Sequence, residues 1–171
     1  VTLLQMTPEE VRAEVVEPHE NFPEVLSGWR SLEALYDPRG LLSRLKREAS
    51  RPTASRFQAS ARLAILAAYE DYGKLLDALD EGDLEGAREM AIWFTGGAAM
   101  ALLCLERRVP PTGRRIFVDL HRLGSLGMSI NRLRYGPLSL EQTERVARRI
   151  WRLLLRRARA RRIRLPGLPW G

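Results

Sequence analysis

The chain has 171 residues, 45% of them apolar and 29% charged, with two histidines and one cysteine. That composition excludes wholesale disorder, leaves room for one good-sized core, and excludes both a disulfide framework and a Cys/His metal cluster. The formal charge of +7 is unevenly spread: from Arg145 onward there are 10 arginines and no acid, which leaves 18 bases against 21 acids in residues 1–144. No apolar run reaches the roughly 18 residues that a membrane span needs, and no signal-peptide pattern opens the sequence. Cys104, alone on an apolar stretch, reads as a small core residue, and a reducing cytoplasm is expected. Arginine outnumbers lysine 26 to 2, a bias that by itself assigns no function.

In chain order, Val1–Met6 has strand character. Thr7-Pro8-Glu9-Glu10 is a strong helix start, with Thr as cap and Pro at the first position, and predicts a helix to about Val16. Glu17–Pro23 reads as loop, with His19 solvated in it, followed by a helical turn over Pro23–Ser27 that Gly28 ends. Trp29–Tyr36 is open between strand and short helix. Asp37-Pro38-Arg39-Gly40 is a turn, and Leu41–Ala49 is an amphipathic helix that Pro52 breaks off before Ser55.

The stretch Ser55–Leu105 predicts two long antiparallel helices. Ser55-Arg56-Phe57-Gln58 has the form of a capping box, and Phe57, Ala61, Ala64, Ala68, Tyr72, Leu75 and Leu79 recur at helical spacing. After the turn Asp80-Glu81-Gly82-Asp83, Asp83 caps a second helix carrying Leu84, Ala87, Ala91, Phe94, Ala98, Ala101 and Leu105. Two matched stripes across so short a connection mean a helical hairpin.

Residues 107–115 form a basic loop, and Ile116–Leu123 a short helix. Gly124–Gly136, with three glycines, is expected to be loosely structured apart from a helical turn near Ile130–Leu133. Ser139-Leu140-Glu141-Gln142 is another capping box and opens a helix to about Ile163. Val146, Ile150, Leu153 and Leu154 face its core side and arginines crowd the rest. Pro166 starts a tail. The expected fold is mainly α, an antiparallel up-and-down helical bundle with a short N-terminal α/β remnant: residues 1–38 form the remnant, 39–165 the bundle with its basic C-terminal helix, and 166–171 the tail.

Several of these features stand in one order: the apolar strand and TPEE helix start, Leu35-Tyr36-Asp37-Pro38-Arg39-Gly40 before an amphipathic helix, a Tyr-bearing helix ending in Leu79–Arg88, and a small-residue-rich helix ending in Leu105–Pro111. Over roughly residues 1–125 this resembles the C-terminal half of minimal nucleotidyltransferase-type proteins of the polymerase β superfamily. The resemblance implies that residues 1–38 close an α/β catalytic domain. It also implies that the bundle is a substrate-binding domain related to the C-terminal domain of kanamycin nucleotidyltransferase and to HEPN domains. Nucleotidyl transfer needs a Gly-Ser turn for the triphosphate and carboxylates for two Mg²⁺ ions. Here Gly124-Ser125 comes after the bundle helices with no Asp-x-Asp behind it, and the opening strand carries no acid. The chain therefore reads as inactive alone, a substrate-binding module working with a catalytic domain or subunit. It would hold no cofactor itself, with Mg²⁺ and nucleoside triphosphate entering only with that partner.

The candidate substrate-binding residues are Tyr69, Tyr72 and Trp93, which could stack a nucleobase or sugar ring, with Arg114 and Arg115. Gly96-Gly97 in mid-helix points to the close approach of a second helix. Arg145, Arg148, Arg149, Arg152, Arg156 and Arg159 are candidates for nucleotide or nucleic-acid contact. The competing reading is a solvated face docked on acids such as Glu81, Asp83 and Glu85. Two alternatives of other classes stand beside this one. Arg115 and His121 are spaced as in the Arg…His pair of HEPN ribonucleases and toxins, although Ile116 replaces the usual polar residue. A plain helical interaction protein, dimeric through an apolar face, is the other. A homodimer or hetero-oligomer is expected in either case, without membrane association.

Overall fold

A computed structural model describes residues 6–165. Among them are eight α-helices and no strand. The expected strand Val1–Met6 lies outside the described residues but for Met6, and the described part of residues 1–38 is helix and coil. Helix α1 (Pro8–Val16) starts as expected, with both bonds of the Thr7/Glu10 capping box in place. Helix α2 (Phe22–Ser31) runs straight through Gly28, because Phe22, Leu26 and Trp29 continue one inward face. The Trp29 indole donates to Glu14 of α1 at 3.2 Å, and Arg30 donates to the Ala49 carbonyl of α3 (Leu41–Ser50) at 2.9 Å. Residues 32–36, open between helix and strand in the sequence, are coil, with Leu35 and Tyr36 almost wholly in water. The Asp37 carboxylate then accepts from the backbone N–H groups of Leu41 (2.7 Å) and Ser43 (3.3 Å), and Gly40 turns the chain at φ +63°. The Tyr-Asp-Pro-Arg-Gly run is thus the start of α3: a carboxylate on orphan donors and a glycine where a side chain would strain the backbone.

The hairpin is α4 (Ala54–Asp80) and α5 (Leu84–Leu105). The cap of α4 is Thr53, whose hydroxyl accepts from Arg56 N–H at 3.3 Å; Ser55 lies inside the helix and bonds the Thr53 hydroxyl. Asp83 caps α5 through Glu85 and Gly86 N–H. Phe57, Ala61, Ala64, Ala68, Tyr72 and Leu75 are buried on α4, and Ala87, Ala91, Phe94, Ala98, Ala101 and Leu105 on α5. The two helices meet closely at Gly97, where a Cβ would lie 3.1 Å from the Ala68 Cα and Cβ.

Helix α5 is the centre, in contact with α2, α4 and the three helices that follow it. It is long and apolar enough to cross a membrane by length and composition, but from Ala98 to Leu105 every residue is buried in the bundle. Cys104 lies in that run, as expected. Helix α6 (Ile116–Leu120) sits between two 3-10 turns, Gly113–Arg115 and His121–Leu123.

Where the glycines suggested loose structure there is an eleven-residue helix, α7 (Ser125–Tyr135), with Leu126, Ile130 and Leu133 buried. Its one glycine serves packing: any side chain at Gly127 would run into the Leu120 carbonyl. Helix α8 (Leu140–Ala160) begins at the Ser139/Gln142 capping box and packs against α4, α5 and α7. It ends three residues earlier than Ile163; Arg162 adopts φ +57° and the chain folds back to bury Ile163 and Leu165. Full burial of aliphatic side chains such as Leu75, Leu102 and Ile150 contributes about 1.5–3 kcal/mol each.

Candidate functional site

Tyr69 and Tyr72 lie one turn apart on α4, on the side that meets α8. Between them comes Trp151 of α8, its ring 5.5 Å from Tyr69 (interplanar 30°) and 5.3 Å from Tyr72 (interplanar 19°). Phe94 of α5 backs Tyr72 at 5.2 Å. Tyr72 and Trp151 are buried, and Tyr69 is the exposed member of the stack, 36% accessible. The three rings wall a groove of about 730 Å³ that Leu76 and Leu155 extend and Gly73 leaves open.

Arg148 and Arg152 stand over the same groove, one turn apart on α8. Arg148 is held by Glu144 at 2.7 Å, and Arg152 reaches the Arg148 carbonyl at 3.4 Å. Burial pushes the Tyr72 phenol above its ordinary pKa, with the Arg148 charge working against the shift. The bond to Glu144 above all raises the Arg148 guanidinium. Glu70, the acid on the rim, is bonded to Lys74 at 2.7 Å. The groove therefore offers an aromatic wall with cations along one edge, a combination suited to a flat ring bearing an anion.

The sequence placed Tyr69, Tyr72, Trp93, Arg114 and Arg115 in one site, and the structure divides them. Trp93 is 59% exposed on another side of the hairpin, in a second cavity with Ile92 and Gly96. Trp93 and Phe94 are neighbours on α5, a step of about 100° apart, so that Phe94 turns to Tyr72 and Trp93 to the second cavity. Arg114 and Arg115 are exposed in the 3-10 turn before α6, where Arg115 lies 3.7 Å from Asp119. His121, the other half of the ribonuclease pair, is exposed, with Nδ1 2.6 Å from the Val118 carbonyl. Arg115 and His121 are thus each engaged with a residue of the helix between them. His19 is half-buried, edge-on to Phe22, instead of solvated.

On α8, Arg145, Arg148, Arg149, Arg152, Arg156 and Arg159 are all exposed. Their expected acidic partners Glu81, Asp83 and Glu85 are not what holds the helix. Arg145 pairs with Glu141 and Arg148 with Glu144, each at 2.7 Å, and Glu106 at the end of α5 holds Arg157 and Arg161. Arg157 also donates to the Leu123 carbonyl at 2.9 Å.

Sequence reasoning missed Trp151, the ring that makes the groove. The signal was there: Ala147, Trp151, Leu154 and Ala158 recur at three-four spacing, a second inward stripe beside the one through Val146 and Ile150. Among the described residues no group of three or more His, Cys, Asp or Glu is placed to hold a metal ion. No known family model matches the chain, and no curated protein matches it either.

Proposed function

We propose that the protein is a helical binding module whose α4–α8 groove takes a nucleotide, free or at the end of a nucleic acid. The base would lie against Tyr69, and the phosphate would meet Arg148 and Arg152. The observation that carries this reading is the stack of Tyr69, Tyr72 and Trp151 with two arginines over its open side. Arg149 and Arg156 continue the positive edge along α8, which favours an extended polyanion over an isolated phosphate. The resemblance of Leu35–Gly40, Leu79–Arg88 and Leu105–Pro111 to nucleotidyltransferase-type proteins supports a place beside a catalytic domain or subunit. That partner would bring the Mg²⁺ and nucleoside triphosphate, in the reducing cytoplasm that a lone buried thiol suits.

The test is titration of the purified chain with adenosine monophosphate, followed by tryptophan fluorescence. Tyr69→Ala should weaken binding by about 1–3 kcal/mol, the worth of one base–aromatic stack, and Arg152→Ala should weaken it and flatten its dependence on salt. Binding that ignores both substitutions would overturn the site, and nucleotidyl transfer by the chain alone would overturn the dependence on a partner.

A further inference from the structure

The second cavity, of about 510 Å³, opens on a different face of the hairpin and has the opposite electrical character. Its size is that of a small-molecule site. Its floor is Gly96 on α5, and Gly96 differs from its neighbour Gly97 in a telling way. Gly97 is required by the approach of Ala68, whereas a Cβ on Gly96 would meet nothing within 4 Å. Packing thus explains one glycine of the pair and leaves the other, which disfavours its helix by about 1 kcal/mol relative to alanine, with the hollow as its only visible consequence. The walls are apolar and wet: Trp93 and Ile92 are 59% and 47% exposed.

Three carboxylates, Glu20 just before α2, Glu24 in its first turn and Asp71 on α4, border this apolar hollow. None has a hydrogen-bond or salt-bridge partner among the described residues. Lys74, whose charge reaches Asp71, is itself bonded to Glu70 at 2.7 Å. The one base in the lining, Arg134, is a strut. It donates to the Ile92 carbonyl at 2.7 Å and the Thr95 hydroxyl at 3.1 Å, and its guanidinium lies 4.1 Å over the Phe117 ring. A chain with a net charge of +7 therefore gathers three acids against one tethered base at its second concavity. Burial above all holds the Asp71 carboxyl over its usual range, Lys74 opposing and Glu70 and Glu20 adding to it; a cation beside it would reverse that.

We propose that this cavity binds a small organic cation on an apolar, ring-bearing frame, the ring against Trp93 and the charge toward Glu20, Glu24 and Asp71. An exposed indole attracts a cation and a flat apolar body alike, and no part of the proposal depends on the nucleotide groove.

The experiment uses 2-phenylethylammonium and its near-isosteric neutral counterpart 2-phenylethanol as millimolar probes of the whole ¹⁵N-labelled chain. The ammonium compound should shift the Trp93 indole N–H and the Gly96 amide saturably and leave the Trp151 indole in place. The alcohol should bind about fivefold more weakly, the factor one partly exposed charge pair supplies. Glu24→Gln and Asp71→Asn should each lower that preference, and the two together should remove most of it. Gly96→Leu, whose Cβ meets nothing within 4 Å and whose side chain would occupy the hollow, should abolish binding of the amine while the Trp151 indole signal stays in place. Equal affinity for amine and alcohol, or amine binding that survives Gly96→Leu, would overturn the proposal.

Discussion

Cys104 shows how far burial alone can change a group. The thiol is 2% exposed in the central helix, and desolvation pushes its pKa from 9.0 up to about 12. In the unfolded chain it ionises near the ordinary value, so above that pH the native state holds a proton the unfolded state has lost. The linkage is thus neutral below about pH 9 and destabilising from there toward about pH 12, with a slope of up to about 1.4 kcal/mol per pH unit. Urea midpoints at about pH 8 and about pH 10 should fall more steeply for the native chain than for Cys104→Ala. Equal slopes would mean that the thiol is not dry. The same burial keeps the thiolate, the reactive form, out of reach at neutral pH.

The hairpin separates what helix periodicity can reveal from what it cannot. The pattern from Phe57 to Leu75 and from Ala87 to Leu105 names the buried faces because each inward position is apolar. The cap was misplaced by two residues, since Thr53 and Ser55 are both good caps and only Thr53 precedes the first turn. Helix α7 was hidden because glycine ordinarily signals flexibility, whereas Gly127 is there to let α7 press against the end of α6. The groove was half-legible: Tyr69 and Tyr72 stand three apart on one helix, but only the packing of α8 brings Trp151 to them. The Gly96-Gly97 pair gives the element its own test. Gly96→Ala should raise stability by about 0.5–1 kcal/mol, because the added methyl meets nothing and lowers the entropy of the unfolded chain. Gly97→Ala should lower it by about 1–3 kcal/mol, because the methyl would force α4 and α5 apart at Ala68. Chemical denaturation of the two variants would show it, and a loss of stability at both positions would refute the open floor at Gly96.

At the scale of the molecule, charge is sorted by face. Arg148 and Arg152 of α8 border the aromatic groove, while Glu20, Glu24 and Asp71 gather at the other hollow. Salt should therefore weaken anions at the first and cations at the second, and a single titration series would show both. The arginine helix was legible as charge and its apolar side as facing the bundle, but the residues that meet it were not. Its apolar side seats it, and its far end is held by Glu106, which pairs with Arg157 and Arg161 from the end of α5, a contact between residues about fifty apart in sequence.

The coil before Asp37 has a consequence for how the protein can be cut. Asp37 fastens the start of α3, and Lys46 reaches only the Leu32 carbonyl, so Leu35 and Tyr36 stand in water on an untethered stretch. A protease needs such a stretch of about that length, free to extend into its cleft. Within residues 6–165, chymotrypsin should make its first cut after Leu35 or Tyr36, as intact-mass analysis of a brief digest would show; a first cut beside Trp93 would contradict this. Because α2 packs on both α3 and α5, the two pieces should travel together on a sizing column. The molecule would then be a two-piece assembly, in which the N-terminal piece could be exchanged for a labelled or altered one without rebuilding the bundle.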